Sequence, residues 1–167
     1  MSDYTLDPRL EADTVRVSRL GLSELRLMND ARWKWIILIP QRPNIVELFD
    51  LTPLDQTMLT FESALAAEAM KKATGCDKIN IGAIGNVVSQ FHLHVIARDQ
   101  GDENWPRPVW GHLGLNAARR LRKQFPTTIK KIVSEFRFEF GNFGSNSASG
   151  GPFRPPEAHF GLRGRFF

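Results

Sequence analysis

The sequence predicts a single α+β domain in which five short β-type segments surround one long helix. Three observations carry this. Residues 33–40, Trp33-Lys34-Trp35-Ile36-Ile37-Leu38-Ile39-Pro40, are β-rich and nearly continuous in apolar residues, as a central strand covered on both faces must be. Residues 52–74 carry a start signal, a stripe and a stop signal for a helix. Residues 90–96 alternate polar and apolar with the period of a half-buried strand.

Each element follows from local chemistry. Residues 1–13 are polar, with Asp7-Pro8 as a turn signal, and read as a lead-in with a short helix. Residues 14–18 alternate and predict a first strand; Gly21 and Ser23 punctuate before a second over 24–29. Asn29-Asp30-Ala31-Arg32 makes a tight connection into the third strand, giving a meander that Pro40 and Pro43 end. In the helix, Thr52 is the N-cap, Pro53 the first helical residue and Asp55 a carboxylate three residues after the cap. Leu54, Met58, Phe61, Leu65 and Ala69 form its expected core stripe, a packing face rather than a cofactor box. Lys71, Lys72 and Gly75 suit its end. A fourth strand is expected over 77–83 and, after a turn at Ile84-Gly85-Asn86, a fifth over 90–96. Residues 99–111, dense in Trp, Pro and Arg, read as an ordered loop, either a cover for a sheet edge or a wall for a flat ligand.

Bulk composition narrows the function. A chain of 167 residues with 42% hydrophobic content can bury a core as one domain. The single Cys76 cannot form an internal disulfide, which points to a reducing compartment. The first residues lack the basic and apolar regions of a secretory leader, and no apolar run reaches the roughly 20 residues of a membrane span. A cytoplasmic protein is the expectation. The formal charge of +4 favours an anionic ligand. The domain is expected over 1–112, followed by a basic helical extension over 113–140 and a Gly/Ser/Pro-rich disordered tail over 141–167. The basic run between His112 and Lys131, which holds no acidic residue, reads as a solvated face rather than a nucleic-acid site.

The chemistry concentrates on the fifth strand. Its alternation sends Phe91, Leu93 and Val95 into a core and sets Gln90, His92 and His94 in a row on the other face. Two imidazoles at this spacing allow three readings. A His-x-His pair is a metal half-site, but His112 and Asp102 are unmotivated as further ligands. A neutral imidazole can attack phosphorus, given an acceptor that fixes its tautomer and donors for the phosphoryl oxygens, which the Gly85-Asn86 turn supplies. The third reading is structural, with both rings satisfied at a sheet surface.

The segment Gly85-Asn86-Val87-Val88-Ser89-Gln90-Phe91-His92-Leu93-His94-Val95-Ile96 resembles the histidine-triad (HIT) motif, usually Gly-Gln-x-Val-x-His-φ-His-φ-His-φ-φ with φ apolar. The likeness extends upstream through Leu27-Met28-Asn29-Asp30-Ala31-Arg32-Trp33 to Pro40 and downstream to Trp105-Pro106 and Val109-Trp110-Gly111, covering about residues 5–112. The wording resembles a bacterial branch labelled dinucleoside polyphosphate (Ap4A-type) hydrolases. This resemblance implies a five-stranded antiparallel sheet crossed by a helix, paired into a homodimer with a continuous ten-stranded sheet. It implies a nucleotide or dinucleoside polyphosphate substrate, no resident cofactor or metal, and a divalent cation accompanying the polyphosphate. By position, His92 is the nucleophile that takes the α-phosphate and His94 the histidine that contacts it. Asn29 matches a ribose-binding position, and Asn80, Gly85, Asn86 and Val87 match positions near the phosphates. The departures are specific. Gln90 stands where the first histidine is usual, and an amide cannot act as a general acid. Trp35 replaces a frequent third-strand histidine, and Val87 a frequent Ser or Thr. The expectation is nucleotidyl hydrolysis or transfer restricted to good leaving groups; the alternative is a nucleotide-binding or sensing module without turnover.

Overall fold

The computed structural model describes residues 3–30, 32–112 and Ser134. The expected basic extension (113–140, Ser134 apart) and tail (141–167) therefore lie outside the described residues. Element order is α1 (Pro8–Asp13), β1 (Thr14–Arg19), β2 (Ser23–Met28), β3 (Lys34–Pro40), a 3-10 turn (Leu48–Asp50), α2 (Pro53–Thr74), β4 (Lys78–Gly82) and β5 (Leu93–Arg98). The strands form one antiparallel sheet in the order β1-β2-β3-β5-β4. The α+β fold with five strands and a helix across the sheet is as the sequence predicts.

β3 is the centre of the molecule. Ile36 and Leu38 face α2, where they join Leu25, Leu27, Phe91, Val95 and Ala97 against Leu59, Ala66, Ala69 and Met70. Trp35, Ile37 and Ile39 face the other way with Ile96 and Trp33, and are covered by Leu10, Val88 and Val109. A continuous apolar strand thus feeds two cores, one on each side of the sheet.

α2 starts and stops where its caps predict. The Thr52 hydroxyl accepts from the Asp55 amide at 3.2 Å, and Gly75 adopts φ +69° while its amide donates to the Lys71 carbonyl. Its buried face overlaps the expected stripe only in part, through Ala69 and the partly buried Met58. Leu54 is 71% and Phe61 41% exposed, whereas Leu59, Glu62, Ala66, Ala69 and Met70 are buried. Apolar residues lie at three- and four-residue steps on both sides of this helix, so spacing does not select the phase. The deciding contact is polar. The fully buried Glu62 carboxylate accepts from the Leu22 and Ser23 amides at 2.6 and 3.1 Å, satisfying the turn between β1 and β2. A Glu at a core position conceals that face from a hydrophobic count.

The fifth strand begins later than expected, at Leu93 rather than Gln90. Its partners run out there: Leu93 pairs with Leu38 of β3 and His94 with Gly82 of β4. Before that point, the Phe91 amide donates instead to the Ile45 carbonyl at 2.9 Å. At its other end β5 delivers Arg98, only 1% exposed. Its guanidinium donates twice to Asp102, at 2.6 Å each, and also to Asn80 Oδ1 and the Arg107 carbonyl. That fan holds residues 99–107 and brings Val109 and Trp110 back over the sheet.

Candidate functional site

His94 lies on β5 between Ile37 of β3 and Gly82 of β4, on the face away from α2. The strand register places Trp35 two residues from Ile37 on the same face, and its indole Nε1–H donates to His94 Nδ1 at 3.0 Å. An indole nitrogen is a donor only, so Nδ1 of His94 is an acceptor and the ring proton sits on Nε2. Three rings enclose it edge to face: Trp35 at 5.3 Å, Trp110 at 5.7 Å and His92 at 4.7 Å between centroids. Gly82 admits this packing, because a Cβ there would stand 3.0 Å from the Trp110 ring. Burial, with the nearby His92 adding to it, lowers the His94 pKa to about 3. The ring is therefore neutral throughout the physiological range.

His92 precedes the strand and is also buried. Its Nδ1 lies 2.7 Å from the Gln90 carbonyl. A carbonyl only accepts, so in the neutral ring Nδ1 carries the hydrogen and Nε2 keeps its lone pair. The two histidines are thus fixed as opposite tautomers. His92 lines a cleft of about 140 Å³ with Ala83, Ile84, Gly85, Asn86, Ser89 and Phe91; Val46 and Glu47 complete the wall. Gly85 turns the chain at φ +71°, a conformation that side chains resist.

The other expected residues divide. Gly85 and Asn86 line this cleft with His92. Val87 does not: its side chain is 81% exposed, while its carbonyl accepts from Arg9 at 2.7 Å. Asn80 accepts from Arg98, at 3.3 Å. Asn29 follows β2, its amide donating to the Asp13 carbonyl. Gln90 departs from the expected row of three. Because the strand has not begun at this residue, alternation does not govern it, and its amide turns to the amino-terminal segment. Oε1 accepts from the Asp7 amide and Nε2 donates to the Thr5 carbonyl, both at 2.8 Å. Arg9 completes the clasp through Val87 and Asp7, and its hydrogen bonds lower the Asp7 pKa to about 2. Among the described residues no group of three or more His, Cys, Asp or Glu is arranged to hold a metal ion, and no helix is long and apolar enough to cross a membrane.

Sequence reasoning did not find the Trp35–His94 hydrogen bond, the Trp110 contact or the Arg98 fan. Residue types gave a partial signal, since Trp35 and Trp110 are both expected near the sheet. What was missing was strand register, which decides whether two side chains share a face.

Comparison with known proteins adds the family. The model of the HIT domain matches residues 9–101. A histidine triad (HIT) protein from Sinorhizobium meliloti 1021 is 55% identical, with a TM-score of 0.75 over 79% of this chain and 96% of that one. Histidine triad proteins from Bradyrhizobium japonicum and Marinobacter aquaeolei VT8 are 39% and 37% identical, with TM-scores of 0.71 and 0.76; each alignment spans 82% of this chain and 98% of the other. The comparison with curated proteins finds no match. With His94 on β5 and His92 just before it, and with the fold and the matching domain in agreement, the chain belongs to the histidine-triad (HIT) family.

Proposed function

We propose that this protein is a nucleotide hydrolase or nucleotidyl transferase that attacks the α-phosphate of a nucleotide or dinucleoside polyphosphate through His92. The observation that carries this reading is the tautomer of His92: with Nδ1–H held by the Gln90 carbonyl, Nε2 presents its lone pair beside the cleft. In the first step Nε2 forms a bond to the α-phosphorus, and the bond from that phosphorus to the bridging oxygen breaks. The departing polyphosphate or nucleotide keeps the electron pair. In the second step water, or another acceptor, attacks phosphorus, the N–P bond breaks and the imidazole is restored. The Nε2–H of His94 supplies a donor for the phosphoryl oxygens, as does the Gly85-Asn86 turn.

The same contacts set the scope. Gln90 cannot deliver a proton, and its amide is already engaged by residues 5–7. Polyphosphate leaving groups, neutralised by their own divalent cation, are therefore the expected substrates, and amine leaving groups are poor ones. A homodimer belongs to this reading. Its support is that β4 ends the sheet with an outer edge and that Ile81 on it is exposed.

The engagement of Gln90 also favours a second reading, a nucleotide-binding module without turnover. The deciding experiment incubates the protein with a labelled dinucleoside polyphosphate, quenches with denaturant and searches for a nucleotidyl adduct. An adduct on His92 that is absent from His92→Asn supports the enzyme. Saturable binding with neither adduct nor product refutes it and leaves the binding module.

A further inference from the structure

We infer that Trp35 is a positioning residue that locks His94 as a donor toward bound phosphate. This inference rests on the proposed function for its catalytic consequence, but not for its structural content. A side chain that could both donate and accept would leave the His94 proton free to sit on either nitrogen. Trp35 removes that choice, because its Nε1–H can only donate and lies 3.0 Å from Nδ1. The pair is buried, so water does not compete for either partner. Both residues are set by backbone pairing: Ile37 opposes His94 and Ile96 opposes Trp35, which brings the indole diagonally across from the imidazole on one sheet face.

The surroundings reinforce the lock. The rings around His94 are Trp35, Trp110 and His92, and His92 is the sole titratable group that acts on its charge among the described residues. Among the described residues no carboxylate acts on the ring to draw a second proton onto it. His94 is accordingly a one-way donor through Nε2, unable to serve as a base. The lone pair of His92 and the N–H of His94 then form a complementary pair: one ring gives electrons to phosphorus while the other gives a hydrogen bond to its oxygen.

The test begins with the unaltered protein. Long-range ¹H–¹⁵N correlation of ¹⁵N-histidine-labelled protein reads the tautomer of each ring. Wild type is expected to show His94 protonated at Nε2 at every pH from 5 to 8, and a proton on Nδ1 would overturn the inference. In Trp35→Phe, checked for folding by circular dichroism, His94 is expected to show a mixture of tautomers. An unchanged Nε2–H population in the folded variant would also overturn it. For the reaction, loss of one oriented donor should slow adduct formation roughly tenfold, with kcat and kcat/KM falling together. The two failures are separable. An Nε2–H His94 with no adduct on His92 leaves the lock and removes the chemistry, whereas an adduct with His94 protonated at Nδ1 does the reverse.

Discussion

Replacing His94 by Gln should remove most of the protein's sensitivity to mild acid. The His94 pKa is about 3 in the folded protein, against 6.5 for an ordinary histidine. The unfolded chain therefore binds a proton at this residue below pH 6.5, while the folded chain refuses it. The stability concerned is fully present above 6.5 and is lost as pH falls from 6.5 toward 3. At about 1.4 kcal/mol per unit, the loss between pH 7 and 4.5 is about 2.5 kcal/mol. The window is chosen to exclude acids: Asp7 and Asp102 both have lowered pKa values, so their contributions fade only below about pH 4. Gln is the suitable replacement because its carbonyl oxygen can accept the Trp35 N–H. Urea denaturation followed by tryptophan fluorescence at pH 7 and 4.5 measures the effect. Wild type should lose about 2.5 kcal/mol more than His94→Gln over that interval, with equal m-values. Equal losses in the two proteins would refute the argument that burial keeps this ring neutral.

Three further outcomes follow from named contacts. Arg98→Met leaves the Asp102 carboxylate without its two guanidinium bonds and should cost ~3–5 kcal/mol in a denaturation experiment, with faster proteolysis of residues 99–107. Gln90→Ala removes two hydrogen bonds to residues 5–7 and should cost about 2 kcal/mol; the Asp7 amide should lose its protection against hydrogen exchange. Gly85→Ala forces a side chain onto φ +71°, which should cost about 1–2 kcal/mol by thermal denaturation and weaken binding of a nucleotide probe in calorimetry.

Much of the fold was legible because its strongest signals are local. The alternation of β1 and β2, the apolar run of β3 and the caps of α2 each report their own conformation. The proximity of His92 and His94 was legible too, since residues two apart leave an extended chain on one side, and their rings lie 4.7 Å apart. What could not be read depends on how distant segments meet. The face of α2 hinged on Glu62 reaching the Leu22 and Ser23 amides, a contact between residues some forty positions apart in sequence. The alternation rule failed at Gln90 because it presumes a partner strand, and the pairing of β5 with β3 ends at the Leu38–Leu93 pair. Trp35 was visible as an unusual residue, but its bond to His94 exists only in the β3–β5 register.

The two-sided burial of β3 makes that strand a partition with separate tenants. Ile36 and Leu38 answer to the helix, whereas Trp35 and Ile37 stand behind the histidines. Changes at 36 and 38 should therefore register in the helical layer, and changes at 35, 37 and 39 in the second core and, through Trp35, at His94. A library confined to 35, 37 and 39 could reshape the chemical face from behind while the helical layer stays intact. Neighbouring residues in the chain would then report on different properties of the same protein.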